Sequence, residues 1–217
     1  DVNVSIGGGA RVEIKGAQDL KGISLLAENE AKRQEILIAI ISELKKRMGG
    51  KLAVAGKIIG LTDVFAITEA KMLKSGLEKG QKILGVLLEK HEGLIGKEIN
   101  PNRRYGTELS DYAKTAGVKG IIHSDEDMGK YGITAGEIEQ IKKLLHAKSS
   151  DGFALVVAEE KTARRALEKA IERARMDFIP KETRKANPDG TSSYMRPLAG
   201  KARLYPETDI PPVKITK

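Results

Sequence analysis

At 217 residues, 40 % hydrophobic and 31 % charged, the chain has the composition of a soluble globular protein, long enough for one large domain or two small ones. It has no cysteine, which excludes disulfides and thiolate chemistry, and three scattered histidines, His91, His123 and His146, cannot make a zinc site unaided. No run of about 18 apolar residues is present, so membrane insertion is not expected and the cytosol is the expected compartment. The net charge of +8 is concentrated near one end: residues 161–217 hold 14 Lys/Arg against 7 Asp/Glu, a difference of +7. A localised basic surface suits a polyanion partner, and equally suits a solvated face of a lysine-rich and glutamate-rich protein.

In chain order, Val2, Val4 and Ile6 alternate with polar residues, Gly7-Gly-Gly9 intervenes, and Val12 and Ile14 alternate with Arg11, Glu13 and Lys15. This predicts a hairpin with Val12 and Ile14 on the core side and the three charges together on the other. The glycines lack the strand-to-helix setting of a phosphate loop, so they read as the turn. Beginning at Asp1 inside a strand pattern, the chain reads as a piece of a longer protein. From about Asp19 to Met48 the apolar spacing predicts one long helix, or two with a break near Gln34, ending at Gly49-Gly50. The segments 52–59, 64–67, 83–88, 120–123 and 153–158 are strand-like. Thr134-Ala-Gly-Glu137 has capping-box spacing, with Ile133 and Ile138 placed as a staple, and predicts a helix to about His146. Another helix is expected from Thr162 to Asp177, with Arg164, Arg165, Lys169, Arg173 and Arg175 outward. Alternating elements of these lengths imply an α+β unit at 50–160, two layers with helices on one face of an antiparallel sheet. The flanks, 1–49 and 161–217, are too small to build a core each and are expected to form one split domain.

Six of the seven prolines lie from Pro180 onward, so the tail is read either as loose or as a rigid site displaying Arg184, Arg196, Arg203, Tyr205, Glu207 and Asp209. One residue separates Glu207 from Asp209, which puts both carboxylates on one side of an extended segment, as magnesium binding requires. Arg103-Arg104-Tyr-Gly-Thr-Glu108 is either an exposed nucleic-acid loop or a structural turn into a helix from about Thr107.

Several motifs resemble a known family. Asp1-Val-Asn-Val-Ser-Ile and Arg11-Val-Glu-Ile-Lys15, with Asn187-Pro-Asp-Gly-Thr191, Met195-Arg-Pro197 and the run from Arg203 to Pro212, resemble the B/E subunit family of tRNA-dependent amidotransferases, the archaeal E-type branch in particular. The stretches 93–101, 106–113 and 117–123 resemble the GAD domain, an insertion shared with bacterial-type aspartyl-tRNA synthetases. The resemblance implies a GAD domain at 50–160 inserted between two pieces of a catalytic cradle. It further implies an ATP-dependent and magnesium-dependent reaction on glutamyl-tRNA(Gln). The tRNA-bound glutamate would be phosphorylated, then amidated with ammonia that the D-type subunit releases from a donor such as glutamine. Under it, Arg11, Lys15 and Arg203 neutralise phosphate or carboxylate. Glu13, Glu207 and Asp209 orient groups, the last two also holding magnesium, and Tyr205 stacks on a base or packs. Arg103, Arg104, Arg164, Arg165 and Arg173 are the expected tRNA contacts. The family's site also uses motifs upstream of Asp1, so this stretch alone is expected to be inactive. Two other readings stand beside it: a non-catalytic tRNA-binding or structural module, and a GAD-containing piece of an aspartyl-tRNA synthetase.

Overall fold

The computed structural model describes residues 1–198. The N-terminal hairpin forms as the alternation requires: β1 (Val2–Val4) pairs antiparallel with β2 (Val12–Lys15), and Val12 and Ile14 are fully buried. On its other side β2 runs parallel to β9 (Glu182–Ala186), which is antiparallel to β10 (Ser192–Pro197). One four-stranded sheet, in the order β1-β2-β9-β10, therefore joins the two ends of the described chain across everything between them.

The first helix, α1 (Ile23–Arg47), is unbroken at Gln34. It stops in a Schellman motif: Gly50 N–H donates to the Lys45 carbonyl at 2.7 Å and Gly49 N–H to Lys46 at 3.3 Å. Gly49 and Gly50 take φ of 77° and 107°, which a side chain would resist. The buried stripe of α1 runs Leu26, Glu30, Arg33, Leu37, Ile40, Ile41, Leu44, so two charged residues occupy core positions.

The second sheet has the order β3-β4-β8-β7, all antiparallel, from β3 (Ile58–Gly60), β4 (Lys82–Leu88), β7 (Ile122–His123) and β8 (Gly152–Ala158). The α+β class and the antiparallel sheet agree with the expectation. Helices cover both faces rather than one. Leu84, Val86, Leu88, Ala154 and Val156 share a core with α3 (Tyr105–Lys114), α5 (Glu160–Ala174) and the second half of α1. Ile83, Phe153 and Leu155 face α2 (Lys71–Glu78) and α4 (Ala135–Leu144). One core cluster runs continuously from Leu37 of α1 to Ala174 of α5.

The capping box of α4 forms: Thr134 Oγ1 accepts from Glu137 N–H at 3.2 Å and Glu137 Oε2 from Thr134 N–H at 2.7 Å. Residues 64–67, expected as a strand, lie instead at the end of a 3-10 turn, Thr62–Phe65. Thr62 and Asp63 favour a turn there, and the Thr62 hydroxyl accepts from Ile83 N–H at 3.1 Å. Of 52–59 only the last two residues join a strand, because Gly56 takes a φ of 67°. A two-residue-wide hairpin of β5 (Glu98–Asn100) and β6 (Arg103–Arg104) leads directly into α3, two residues earlier than expected.

Candidate functional site

Side chains alternate across β9, so its Glu182-Thr-Arg184 run serves two places at once. Glu182 and Arg184 point to α1, α3 and α5; Thr183 and Lys185 share the opposite face, in register with Glu13 and Lys15 of β2.

On the inner side, Glu30, Arg33, Glu108, Arg173, Glu182 and Arg184 are each at most 1 % exposed. Arg33 forks onto Glu30 with two bonds of 2.9 Å, donates to Glu108 at 2.6 Å and reaches Glu182 at 3.3 Å. Arg184 donates to Glu182 at 2.5 Å, to both Glu108 oxygens at 3.4 and 3.3 Å, and to the Ser192 hydroxyl and carbonyl at 2.7 and 2.9 Å. Arg173 donates to Glu108 at 3.4 Å and lies 5.9 Å from the Tyr112 ring centre. The Tyr112 hydroxyl donates to Glu182 at 2.7 Å, and its ring stacks on Tyr194 at 3.8 Å. Three arginines thus meet three glutamates, which is what makes the burial of six charges tolerable. Burial alone would raise Glu108, but Arg184, Arg33 and Arg173 outweigh it and hold the carboxyl far below the usual range. Burial also works against Glu30, and Arg33 ahead of Arg184 reverses it, leaving that group lowered too. Tyr112 is pushed up, first by burial and then by the Glu182 carboxylate, so it remains a hydrogen-bond donor.

The outer side is chemically different. Lys15 Nζ lies 2.7 Å from Asp1 and 2.5 Å from Glu13, all partly or fully in contact with solvent. Arg11 and Lys185 are exposed, and neither has an ion-pair partner among the described residues. Thr183 is fully buried on this face, with its hydroxyl unpartnered among the described residues. The structure therefore brings Glu13 and Lys15 together as expected and sets Thr183 and Lys185 beside them, while Arg11 is exposed one residue before β2. Arg203, Tyr205, Glu207 and Asp209 lie outside the described residues.

The Asn187–Thr191 run is a turn rather than a site. Asn187 N–H donates to the Thr191 carbonyl at 2.8 Å, and Asp189 accepts from the Thr191 N–H and hydroxyl at 3.0 and 2.6 Å. Asn29 of α1 holds the Gly190 carbonyl at 2.8 Å, and a Cβ on Gly190 would come within 2.7 Å of Leu25.

The expected nucleic-acid contacts separate. Arg173 was expected outward and is instead fully buried in the ionic cluster, so it is not available to a polyanion. Arg103 is committed to Asp111 within the protein. Arg104 and Arg165 are exposed, as is Arg164, which lies 4.0 Å from Glu160. Arg175 is exposed but donates to the Val54 and Ala55 carbonyls at 2.8 and 2.7 Å.

Sequence reasoning missed Glu30, Arg33, Gln34 and Glu108. The signal was available in α1, where Glu30 and Arg33 fall on the same 3.6-residue stripe as Leu26, Leu37 and Leu44.

As to what the described residues could bind, they contain no group of three or more carboxylates or histidines able to hold a metal, and Glu13 alone does not make a magnesium shell. The cations Lys15 and Lys185 on one sheet face, with Arg11 exposed just before β2, do suit phosphate oxygens. No helix of the described residues is long and apolar enough to cross a membrane.

Residues 73–167, which hold β4 to β8 and most of α2 to α4, match the GAD domain family. Over its whole length the chain is 50 % identical to the E subunit of the glutamyl-tRNA(Gln) amidotransferase of Pyrococcus furiosus, covering 35 % of that protein. It is 48 % identical to the E subunit of Methanosarcina barkeri and 47 % to that of Methanocaldococcus jannaschii, covering 34 % of each. The chain belongs to this E-subunit family, and it spans about a third of the length of the curated relatives it matches.

Proposed function

We propose that the chain is part of a heteromeric, tRNA-dependent amidotransferase that converts glutamyl-tRNA(Gln) to glutaminyl-tRNA(Gln). The observation that carries this reading is the parallel pairing of β2 with β9, which sets Glu13 beside Thr183 and Lys15 beside Lys185 on one face of the sheet. Arg11 and Lys15, with Arg203, hold phosphate and carboxylate oxygens there, because charge must be neutralised as a phosphoryl group moves to the glutamate. Glu13 orients Lys15. ATP supplies the phosphoryl group, and ammonia made by a partner protein, which we assign as the D-type subunit acting on glutamine, completes the amide. Magnesium belongs with Glu207 and Asp209, and Tyr205 with the base or the wall around it. Residues 1–49 and 161–217 form the cradle and 50–160 the GAD insertion; Arg104 of the insertion and Arg164 and Arg165 of the helix that follows it contact the tRNA. The cysteine-free chain suits work in the cytoplasm.

The assay uses the complete enzyme. Replacing Glu207 and Asp209 with alanine is expected to abolish glutamyl-tRNA-dependent ATP cleavage while tRNA affinity is retained. Unimpaired cleavage would leave the module as a tRNA-binding or structural element. The isolated 217-residue chain is expected to form no glutaminyl-tRNA.

A further inference from the structure

The edge of the GAD sheet is left open at one point. β4 pairs with β8 along its full length, from Gly152 to Ala158, but on the other side β7 covers only Ala154 and Leu155. The Phe153 carbonyl accepts from Ser124 N–H at 3.0 Å on the β7 side. Backbone groups alternate along a strand, so Leu155 and Val157 face that side as well. Leu155 meets Ile122. Ahead of Ile122 the chain turns away, and the Ile121 N–H goes to the Ser110 hydroxyl at 3.3 Å instead of continuing the ladder. Val157 is left with no backbone partner on that side among the described residues.

The space in front of it is a cavity of about 510 Å³, walled by Met72 and Ser75 of α2 and Lys79 just past its end, and by Val118 and Lys119 across the gap. Met72 and Tyr131 stand at its rim, 49 % and 37 % exposed. Lys79 and Lys119 are the charged residues lining it, and no carboxylate does. A slot between a helix and a free strand edge has the shape of an extended polypeptide. The edge supplies main-chain bonds and the walls take alternate side chains.

The geometry points to this slot as the docking site of an extended, acid-rich segment of a partner protein, added to the edge of β8 at Val157 with its carboxylates against Lys79 and Lys119. Phosphates would also attract the two lysines, but a nucleic acid makes no use of a strand edge between apolar walls, so a polypeptide is the better fit.

The test uses the whole chain and a set of fluorescent peptides that alternate valine with glutamate or aspartate in different registers. Controls carry a central proline, or lysine in place of the acids, and a single-stranded oligonucleotide serves as competitor. Acidic uninterrupted peptides are expected to bind and to protect the Val157 amide from hydrogen exchange. Lys79→Glu combined with Lys119→Glu should weaken them about tenfold or more. Ser75→Phe, which fills the slot without altering its charge, should abolish binding while the melting temperature holds. The proposal is overturned if no acidic peptide binds better than its proline version. It is equally overturned if the well-folded Ser75→Phe protein binds as before, or if the oligonucleotide displaces the peptides and loses affinity in the same variants.

Discussion

The two faces of β9 carry the same residue types to opposite ends. On the inner face, carboxylates and guanidinium groups are sealed among α1, α3 and α5 and pair mainly with one another, the two terminal nitrogens of Arg173 alone lacking a partner among these groups. On the outer face, Lys15, Glu13 and Asp1 remain in contact with water, with Lys185 beside Lys15 in the sheet and Arg11 exposed just before β2, neither of these two ion-paired among the described residues. Charge alone does not mark a site. A buried cluster with its charges balanced is already spent on holding the GAD helices to the end-joining sheet, whereas a partly exposed one can still pair with a substrate.

The difference can be broken most forcefully at Glu108, where three guanidinium groups converge. Glu108→Ala leaves Arg33, Arg173 and Arg184 buried without their shared anion and should cost about 3–5 kcal/mol in urea unfolding. Glu13→Ala on the outer face should cost less than about 1 kcal/mol. Similar costs for both would erase the distinction.

Acid should separate a neutral buried group from the ionic cluster. His91 is fully buried, with Nδ1 donating to the Glu89 carbonyl at 2.6 Å and Nε2 unpartnered, and burial pulls it from 6.5 down to about 4. The unfolded chain takes up this proton near 6.5 and the folded one only near 4. Stability is therefore full above 6.5, falls by about 3 kcal/mol in total as pH drops to about 4, and then levels for this group. Glu30 and Glu108 are lowered from 4.5, so their contribution is present above 4.5 and is lost beneath it. His91→Phe should shrink the loss in the upper window, leaving there only the share of His123, also lowered by burial, and leave the lower window unchanged. An unaltered slope between 6.5 and 4 would assign the upper window to other groups.

What could be read in advance was local. The hairpin, the α4 capping box and the glycine stop of α1 each depend on residues a few positions apart, and each formed. Beyond Glu30 and Arg33 on the buried stripe of α1, the cluster was not legible because its members come from α1, α3, α5 and β9, brought together only by tertiary packing. Arg173 looked like a solvated helix charge for the same reason: its partner Glu108 is distant in sequence. Residues 64–67 looked like a strand because Val64, Phe65 and Ile67 are apolar and β-prone, while the turn chemistry of Thr62 and Asp63 and the burial of Phe65 set the local structure.

The claim that the outer face of the end-joining sheet carries the chemistry is tested most directly by glutamyl-tRNA-dependent ATP cleavage in the complete enzyme bearing Lys15→Met, measured beside its thermal melting. The account predicts that cleavage is lost while the melting temperature stays within about 2 °C of the parent, since an exposed pair contributes little to stability. Cleavage at the parent rate in that well-folded variant would contradict it.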